Sequence, residues 1–221
     1  MSVEAVLLDW GHTLFDTPGS VDFIVSFATE RGIALGSHET HALWDDARIR
    51  SRSAVEIAKG RDKSPDKHRE CWMSLWAELE SRCPGVSEAL YEFETSPSGW
   101  SPYSDTTEVL HALRDRRIPV VIVSDVAFDL RPILAHYDLA DLIHTFVLSG
   151  EHGTIKPELR LFRIALDAVG AAPECALMVG DNHINDGAAI DVGIRTLLLQ
   201  PVPHGAPRGL RVIVDLIDAG S

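Results

Sequence analysis

Several apolar runs in this chain end abruptly on groups that can handle a phosphoryl group and a divalent cation. Residues 3–8 (Val-Glu-Ala-Val-Leu-Leu) run into Asp9, followed by Trp10, Gly11, His12 and Thr13. A carboxylate in that position can serve as nucleophile or metal ligand. Residues 118–123 run into Ser124 and Asp125, where a hydroxyl and its backbone N–H can bind a phosphoryl oxygen. Lys156, in Gly153-Thr154-Ile155-Lys156-Pro157, can neutralise a phosphate or pair with a carboxylate. Residues 175–179 run into Gly180-Asp181-Asn182-His183-Ile184-Asn185-Asp186-Gly187, placing two carboxylates across a loop and the start of a helix. Oxygen-rich, thiol-free sets of this kind suit Mg²⁺. Taken singly, each feature has a plain structural reading, because an Asp at a strand end often caps a turn and a lysine is commonly solvated. Their order and spacing make them specific together.

The elements that must position these groups follow from hydrophobic pattern. Nearly continuous apolar strands at 3–8, 118–123, 175–179 and 196–199 imply burial on both faces, as in a parallel sheet. Asp105 and Glu108 have capping-box spacing ahead of Val109, Ala112 and Leu113. Leu161, Ile164, Ala165 and Ala168 form a helical stripe closed by Gly170. From residue 103 onward helices and strands alternate, which predicts an open α/β sheet that binds ligands at the carboxyl ends of its strands. Residues 18–98 break the alternation. Trp72, Leu75, Trp76 and Leu79 form an i, i+3, i+4, i+7 stripe behind a Ser64-Pro65 helix start, so this stretch reads as a helical insert. The tryptophans suit a core, or a ligand surface. Loops at 16–20 and 95–102 read as linkers leaving and re-entering the sheet domain.

Composition narrows the function classes. The 221 residues are 45% hydrophobic and 24% charged, enough apolar material for one large domain or a core with a smaller insert. A net charge of −13 argues against nucleic-acid binding. No apolar run approaches the roughly 18–20 residues that cross a bilayer, and the N-terminus lacks a signal-peptide pattern. A cytoplasmic location without membrane contact is therefore expected. Cys71, Cys83 and Cys175 are odd in number and show no CxxC spacing, which predicts neither disulfides nor a thiol metal site.

With these motifs in order, the sequence resembles the haloacid dehalogenase superfamily of hydrolases over essentially its whole length. The resemblance rests on Leu7 to Leu14, Val121 to Asp125, Ile155-Lys156-Pro157 and Val179 to Asp186. It implies a Rossmann-like α/β parallel-sheet core at 1–17 and 99–221, with an inserted all-helical C1-type cap at 18–98. It also implies that Asp9 attacks a phosphoryl group to give an aspartyl-phosphate. Mg²⁺ would be held by Asp9, the backbone carbonyl of Gly11, Asp181 and Asp186, while Ser124 and Lys156 hold the transferring phosphoryl. The substrate would be a small phosphorylated metabolite.

One position departs from that pattern. The family's phosphatases place a second Asp, the general acid/base, where this chain has Gly11. His12 follows, and its imidazole could take over proton transfer directly or through water; the plain reading is a loop residue pointing away from the site. Dehalogenases of the family carry Tyr at the Gly11 position and do not need the metal, so the acidic loop disfavours haloacid chemistry. Phosphonatases carry Ala there and form an imine on a cap lysine, a role open to Lys59, Lys63 or Lys67. A third reading is a non-catalytic homologue that binds a phospho-ligand or protein partner. Charge is also segregated: eight basic residues (Arg48, Arg50, Arg52, Lys59, Arg61, Lys63, Lys67, Arg69) and three acidic ones between 48 and 69 give a local +5 inside the acidic chain. If that stretch faces the core it attracts an anionic substrate; otherwise it is a solvated helix surface. Nothing in the sequence names the substrate or the oligomeric state.

Overall fold

The computed structural model describes residues 2–203 and 205–220. In chain order, β1 (Ala5–Leu8) and β2 (Phe15–Asp16) lead into helices α1 (Ser20–Glu30), α2 (Ser37–Ser51), α3 (Ala54–Ala58), α4 (Pro65–Leu75), α5 (Ala77–Arg82) and α6 (Val86–Glu94). There follow β3 (Ser101–Pro102), α7 (Thr106–Asp115), β4 (Val120–Ser124), α8 (Arg131–His136), β5 (Thr145–Leu148), α9 (Ser149–His152) and α10 (Leu159–Val169). β6 (Ala176–Gly180), β7 (Arg195–Leu198) and α11 (Arg211–Gly220) complete the order.

β1 lies at the centre of a five-stranded parallel sheet of order β5-β4-β1-β6-β7. The chain fills one side of β1 and then the other, so a topological switch point lies beside its carboxyl end. Leu8 is in register with both Ile122 and Val179. The residues that follow these three strands therefore emerge side by side. Alternation of side chains sends Val6, Leu8, Ile122 and Val179 to a core with α7, α8 and α11. Leu7, Val121, Val123 and Met178 go to an opposite core with Leu161, Phe162 and Ala165 of α10. This is the open α/β sheet expected from the alternation, in the Rossmann-like form that the family resemblance implies.

The helices between β2 and β3 have a hydrophobic core of their own, built on Val21, Ile24, Trp44, Leu75, Trp76, Leu79 and Leu90. Ser64 caps α4 by accepting from Lys67 N–H, with Pro65 at the first helical position. The tryptophan stripe spans a break at Trp76 between α4 and α5. Leu75, Trp76 and Leu79 are buried, whereas Trp72 is half-buried and stacks on Trp76 with ring centroids 5.0 Å apart.

Local expectations differ from the structure in three places. The linkers are not simple loops: Phe15 pairs with Pro102 and Asp16 with Ser101, so the two crossings form a short antiparallel ribbon. Two paired residues are too few to leave an alternating pattern. The Asp105 carboxylate sits at the N-terminus of α7 but accepts no bond within the helix. It accepts instead from the N–H groups of Arg208, Gly209 and Leu210, and Glu108 pairs with Arg211. The capping box gives way because three donors of a distant segment compete for one carboxylate. Finally, β7 is a partly exposed edge strand rather than a strand buried on both faces. Cys71, Cys83 and Cys175 are free thiols. Among the described residues, no helix is long and apolar enough to cross a membrane.

Candidate active site

The carboxyl ends of β1, β4 and β6 bring the polar groups of the four motifs to one cavity. Asp9 is the first residue after β1, anchored by its N–H to Val179 O at 2.9 Å. One carboxylate oxygen accepts from Lys156 Nζ at 2.7 Å, and the other faces Thr13 Oγ1 at 3.4 Å. Lys156 is buried, and its ammonium also donates to Asp186 at 2.5 Å and to Val123 O at 3.1 Å. All three ammonium hydrogens are thus engaged. The backbone N–H of Lys156 donates to Asp125 Oδ1, whose Oδ2 accepts from Asn185. Asp125 therefore places the Lys156 loop.

Asp186 is fully buried and accepts from Asn182 N–H at 2.9 Å with its second oxygen. It lies directly against Gly180, where a Cβ would stand 2.1 Å from Asp186 Oδ2. Glycine at 180 is a steric requirement of this carboxylate's position. Asp181, more exposed, completes a trio in which oxygens of Asp9, Asp181 and Asp186 lie within 4.8 Å of one another. Three carboxylates converge with one ammonium between two of them, an all-oxygen donor set that fits a hard divalent cation.

The loop after Asp9 turns on Trp10 O, which accepts from Leu14 N–H at 2.9 Å. His12 adopts a left-handed backbone, φ 57°. Its carbonyl accepts from the buried Arg208 Nε at 2.5 Å, and Arg208 also donates to the carbonyls of Gln200 and Leu199. The His12 ring faces Asp16 Oδ1 at 3.5 Å through Nδ1, and Arg48 at 3.4 Å through Nε2. Since a guanidinium only donates, this arrangement assigns the proton to Nδ1.

Electrostatics follow from burial. Burial pushes the Asp9 carboxyl up to about 7, against the Lys156 ammonium, with Asp186 and Asp181 adding to the rise. Burial opposes the charge of Lys156, but Asp9, Asp186 and Asp125 outweigh it and hold the ammonium above the ordinary lysine range. Burial also raises Asp181, and raises Asp125 to about 6. His12 is lowered by burial and by Arg48, so its ring is neutral near neutral pH.

The sequence pattern of the haloacid dehalogenase-like hydrolases matches residues 3–193. The chain belongs to this hydrolase family. Over 206 residues it is 26% identical to a ribulose-1,5-bisphosphate 5-phosphatase of Halopiger xanaduensis, covering 89% of this chain and 84% of that protein. It is 38% identical over 117 residues to a phosphoserine phosphatase of Thermus thermophilus, and that match spans about half of each protein, 50% and 47%. Among solved structures, a haloacid dehalogenase-like phosphatase of Thermococcus onnurineus superposes with a TM-score of 0.66 at 20% identity, over 97% of this chain and 98% of that one. A dehalogenase superposes with a TM-score of 0.74 at 20% identity, over 97% of both chains. These structures share the fold.

In this hydrolase the cavity measures about 320 Å³, and Asp9, Gly11, His12, Ser124, Asp125, Lys156, Asp181 and Asp186 all line it. His183 is exposed and does not. Its opposite wall comes from the helices between β2 and β3: Trp44, Arg48, Arg52, Arg61, His68, Trp72 and Glu94. None of Lys59, Lys63 and Lys67 lines it; they pair with Glu56, Glu158 and Glu70.

Sequence reasoning missed several participants. Thr13 and Asn185 lay inside recognised motifs. Arg208 left no signal, because a lone arginine in an irregular segment says nothing of the carbonyls it will meet. Nor did Glu94, which is half-buried, accepts from Ser20 and is pushed up to about 7 by desolvation. His68 is held neutral at about 4 by burial, between Tyr91 Oη and Trp72 Nε1, both 3.0 Å away.

Proposed function

We propose that this chain hydrolyses a small phosphorylated metabolite, using Mg²⁺ and an aspartyl-phosphate on Asp9. The observation that carries the reading is the convergence of Asp9, Asp181 and Asp186 within 4.8 Å, with Lys156 between Asp9 and Asp186. The phosphatase names of two relatives support it. Part of the proposal is the division into a core of residues 1–17 and 99–221 and a helical cap at 18–98.

In the first step an Asp9 oxygen attacks phosphorus and the bond to the leaving oxygen breaks, giving the acyl phosphate. In the second, water attacks that phosphorus and releases phosphate, regenerating the Asp9 carboxylate. Lys156 and Ser124 hold the phosphoryl oxygens, and the buried Lys156 ammonium offsets their charge. Asp9, the Gly11 carbonyl, Asp181 and Asp186 hold Mg²⁺, which supplies Lewis-acid stabilisation of the transferring phosphoryl. Thr13 and Asp125 position Asp9 and Lys156.

Gly11 leaves the leaving oxygen without the acid that the family's phosphatases place here. Good leaving groups therefore react best, and the neutral His12 ring, or a water beside it, carries what proton transfer remains. The same glycine favours a second reading, a homologue that binds a phospho-ligand without turnover. A cap-lysine imine is not supported, since those lysines are paired outside the cavity.

The test is turnover of phenyl phosphate with Mg²⁺. The proposal expects turnover that Asp9→Asn abolishes. No turnover by either the wild type or Gly11→Asp, together with binding of a beryllium fluoride phosphoryl mimic, favours the non-catalytic reading.

A further inference from the structure

Eight cationic side chains crowd residues 48–69, and their pairing separates them into two groups. Arg50, Lys59, Arg61, Lys63, Lys67 and Arg69 each meet a carboxylate: Asp46, Glu56, Asp62, Glu158, Glu70 and Glu88 respectively. Among the described residues, Arg48 and Arg52 meet none within ion-pair distance. These two both line the cavity. They sit at the C-terminal end of α2, where the Arg48 guanidinium faces the His12 ring nitrogen Nε2 at 3.4 Å. The Arg48 charge acts on the Glu94 carboxyl, which burial pushes up to about 7 and which therefore offsets that charge only in part. Two cations without counter-ions in a half-enclosed cavity are a site for an anion.

That anion is distinct from the transferring phosphoryl. The phosphoryl position at the strand ends already has Lys156 and Ser124, and Arg48 and Arg52 belong to the wall opposite. The same cavity is lined by three tryptophans, the half-buried Trp72 stacked on Trp76 and Trp76 on Trp44, the last two buried. Such a surface takes the apolar or planar body of a ligand better than a hydrated one.

We propose that Arg48 and Arg52 form a second anion subsite, so that the substrate's leaving group carries a carboxylate or a second phosphate beyond an apolar body. This rests on the phosphohydrolase reading for the word substrate, but the subsite itself is a matter of binding.

The experiment is calorimetric binding, with Mg²⁺ present, of two matched pairs of non-hydrolysable probes. They are 3-phosphonopropionate against propylphosphonate, and 4-phosphonobenzoate against phenylphosphonate. The carboxylated member of at least one pair should bind the wild type about tenfold or more tightly, the effect of one charge-assisted contact. In Arg48→Gln/Arg52→Gln the ratio should fall to about one. Arg52→Gln alone, at an exposed position, should reduce the ratio if the double variant does not fold. Phosphate dianion in place of the carboxylate, as in a propane-1,3-bisphosphonate, distinguishes the two anion types. Equal binding within both pairs, a preference that survives in the variants, or an equal loss for charged and uncharged probes overturns the subsite. Absence of phenyl phosphate turnover in both the wild type and Gly11→Asp, with the binding preference intact, removes the turnover reading and leaves the subsite standing.

Discussion

Replacing Gly11 with aspartate should restore to this site the proton donor it lacks. The substitution is sterically admissible: a Cβ at position 11 would meet only the Trp100 ring, at 3.8 Å, an ordinary van der Waals contact. The backbone there is not in the left-handed region, so an L side chain fits without strain. A positioned acid/base contributes about 10² to 10⁴ in rate, and the gain scales with the leaving group's need for a proton. Gly11→Asp should therefore raise kcat/KM for an alkyl phosphate such as glycerol 3-phosphate by about 10² or more, equivalent to roughly 3 kcal/mol. For 4-nitrophenyl phosphate, whose leaving group departs as the anion, the gain should stay below about tenfold. The assay is phosphate release at saturating Mg²⁺ across a series of esters of graded leaving-group pKa, with wild type and variant side by side. The wild type should show the steeper dependence. Parallel slopes, or an equal gain on both ester types, would refute the reasoning, because Gly11 would then not be what limits leaving-group departure.

Gly180→Ala would drive a methyl into the Asp186 carboxylate, to 2.1 Å from Oδ2, and the carboxylate must move. A loss of about 1–3 kcal/mol in stability is expected, with weaker stabilisation by Mg²⁺ in thermal melts; a variant with wild-type Mg²⁺ response contradicts the placement. Arg208→Gln removes the donor shared by the carbonyls of His12, Gln200 and Leu199. It should cost about 3 kcal/mol in urea unfolding and lower kcat more than it raises KM, since it acts through the nucleophile loop. His68 is lowered to about 4 in the folded state from an ordinary 6.5. Its contribution is therefore present above about pH 6.5 and lost as pH falls towards 4, by roughly 3 kcal/mol in total. His68→Gln should flatten that part of the stability profile, and an unchanged slope would mean that His68 does not carry it.

The parallel sheet was legible because its three central strands are buried on both faces and so read as unbroken apolar runs. The convergence of Asp9, Ser124, Lys156, Asp181 and Asp186 was legible for a related reason. Each follows such a strand or lies in a loop at the same edge, and the topology does the rest. What escaped depends on partners distant in sequence. Asp105 had the spacing of a helix cap, yet three N–H groups about a hundred residues away claim it. Arg208 owes its role to burial, which no local pattern encodes for a charged residue, and Glu94 to a partner far away in the chain, Ser20. The basic stretch at 48–69 showed its net charge but not its division, because pairing partners such as Glu88 and Glu158 lie outside it. Trp72 and Trp76 differ in burial yet both line the cavity, so the core and ligand-surface readings of the stripe do not exclude each other.

Rapid acid quenching of the enzyme during turnover of phenyl phosphate with Mg²⁺, followed by peptide mass spectrometry, bears most directly on Asp9 as the nucleophile. One phosphoryl group should appear on the peptide containing Asp9, vanish on treatment with hydroxylamine, and be absent both without Mg²⁺ and in Asp9→Asn. Turnover with the phosphoryl group on another residue, or turnover that survives in Asp9→Asn, would contradict the account.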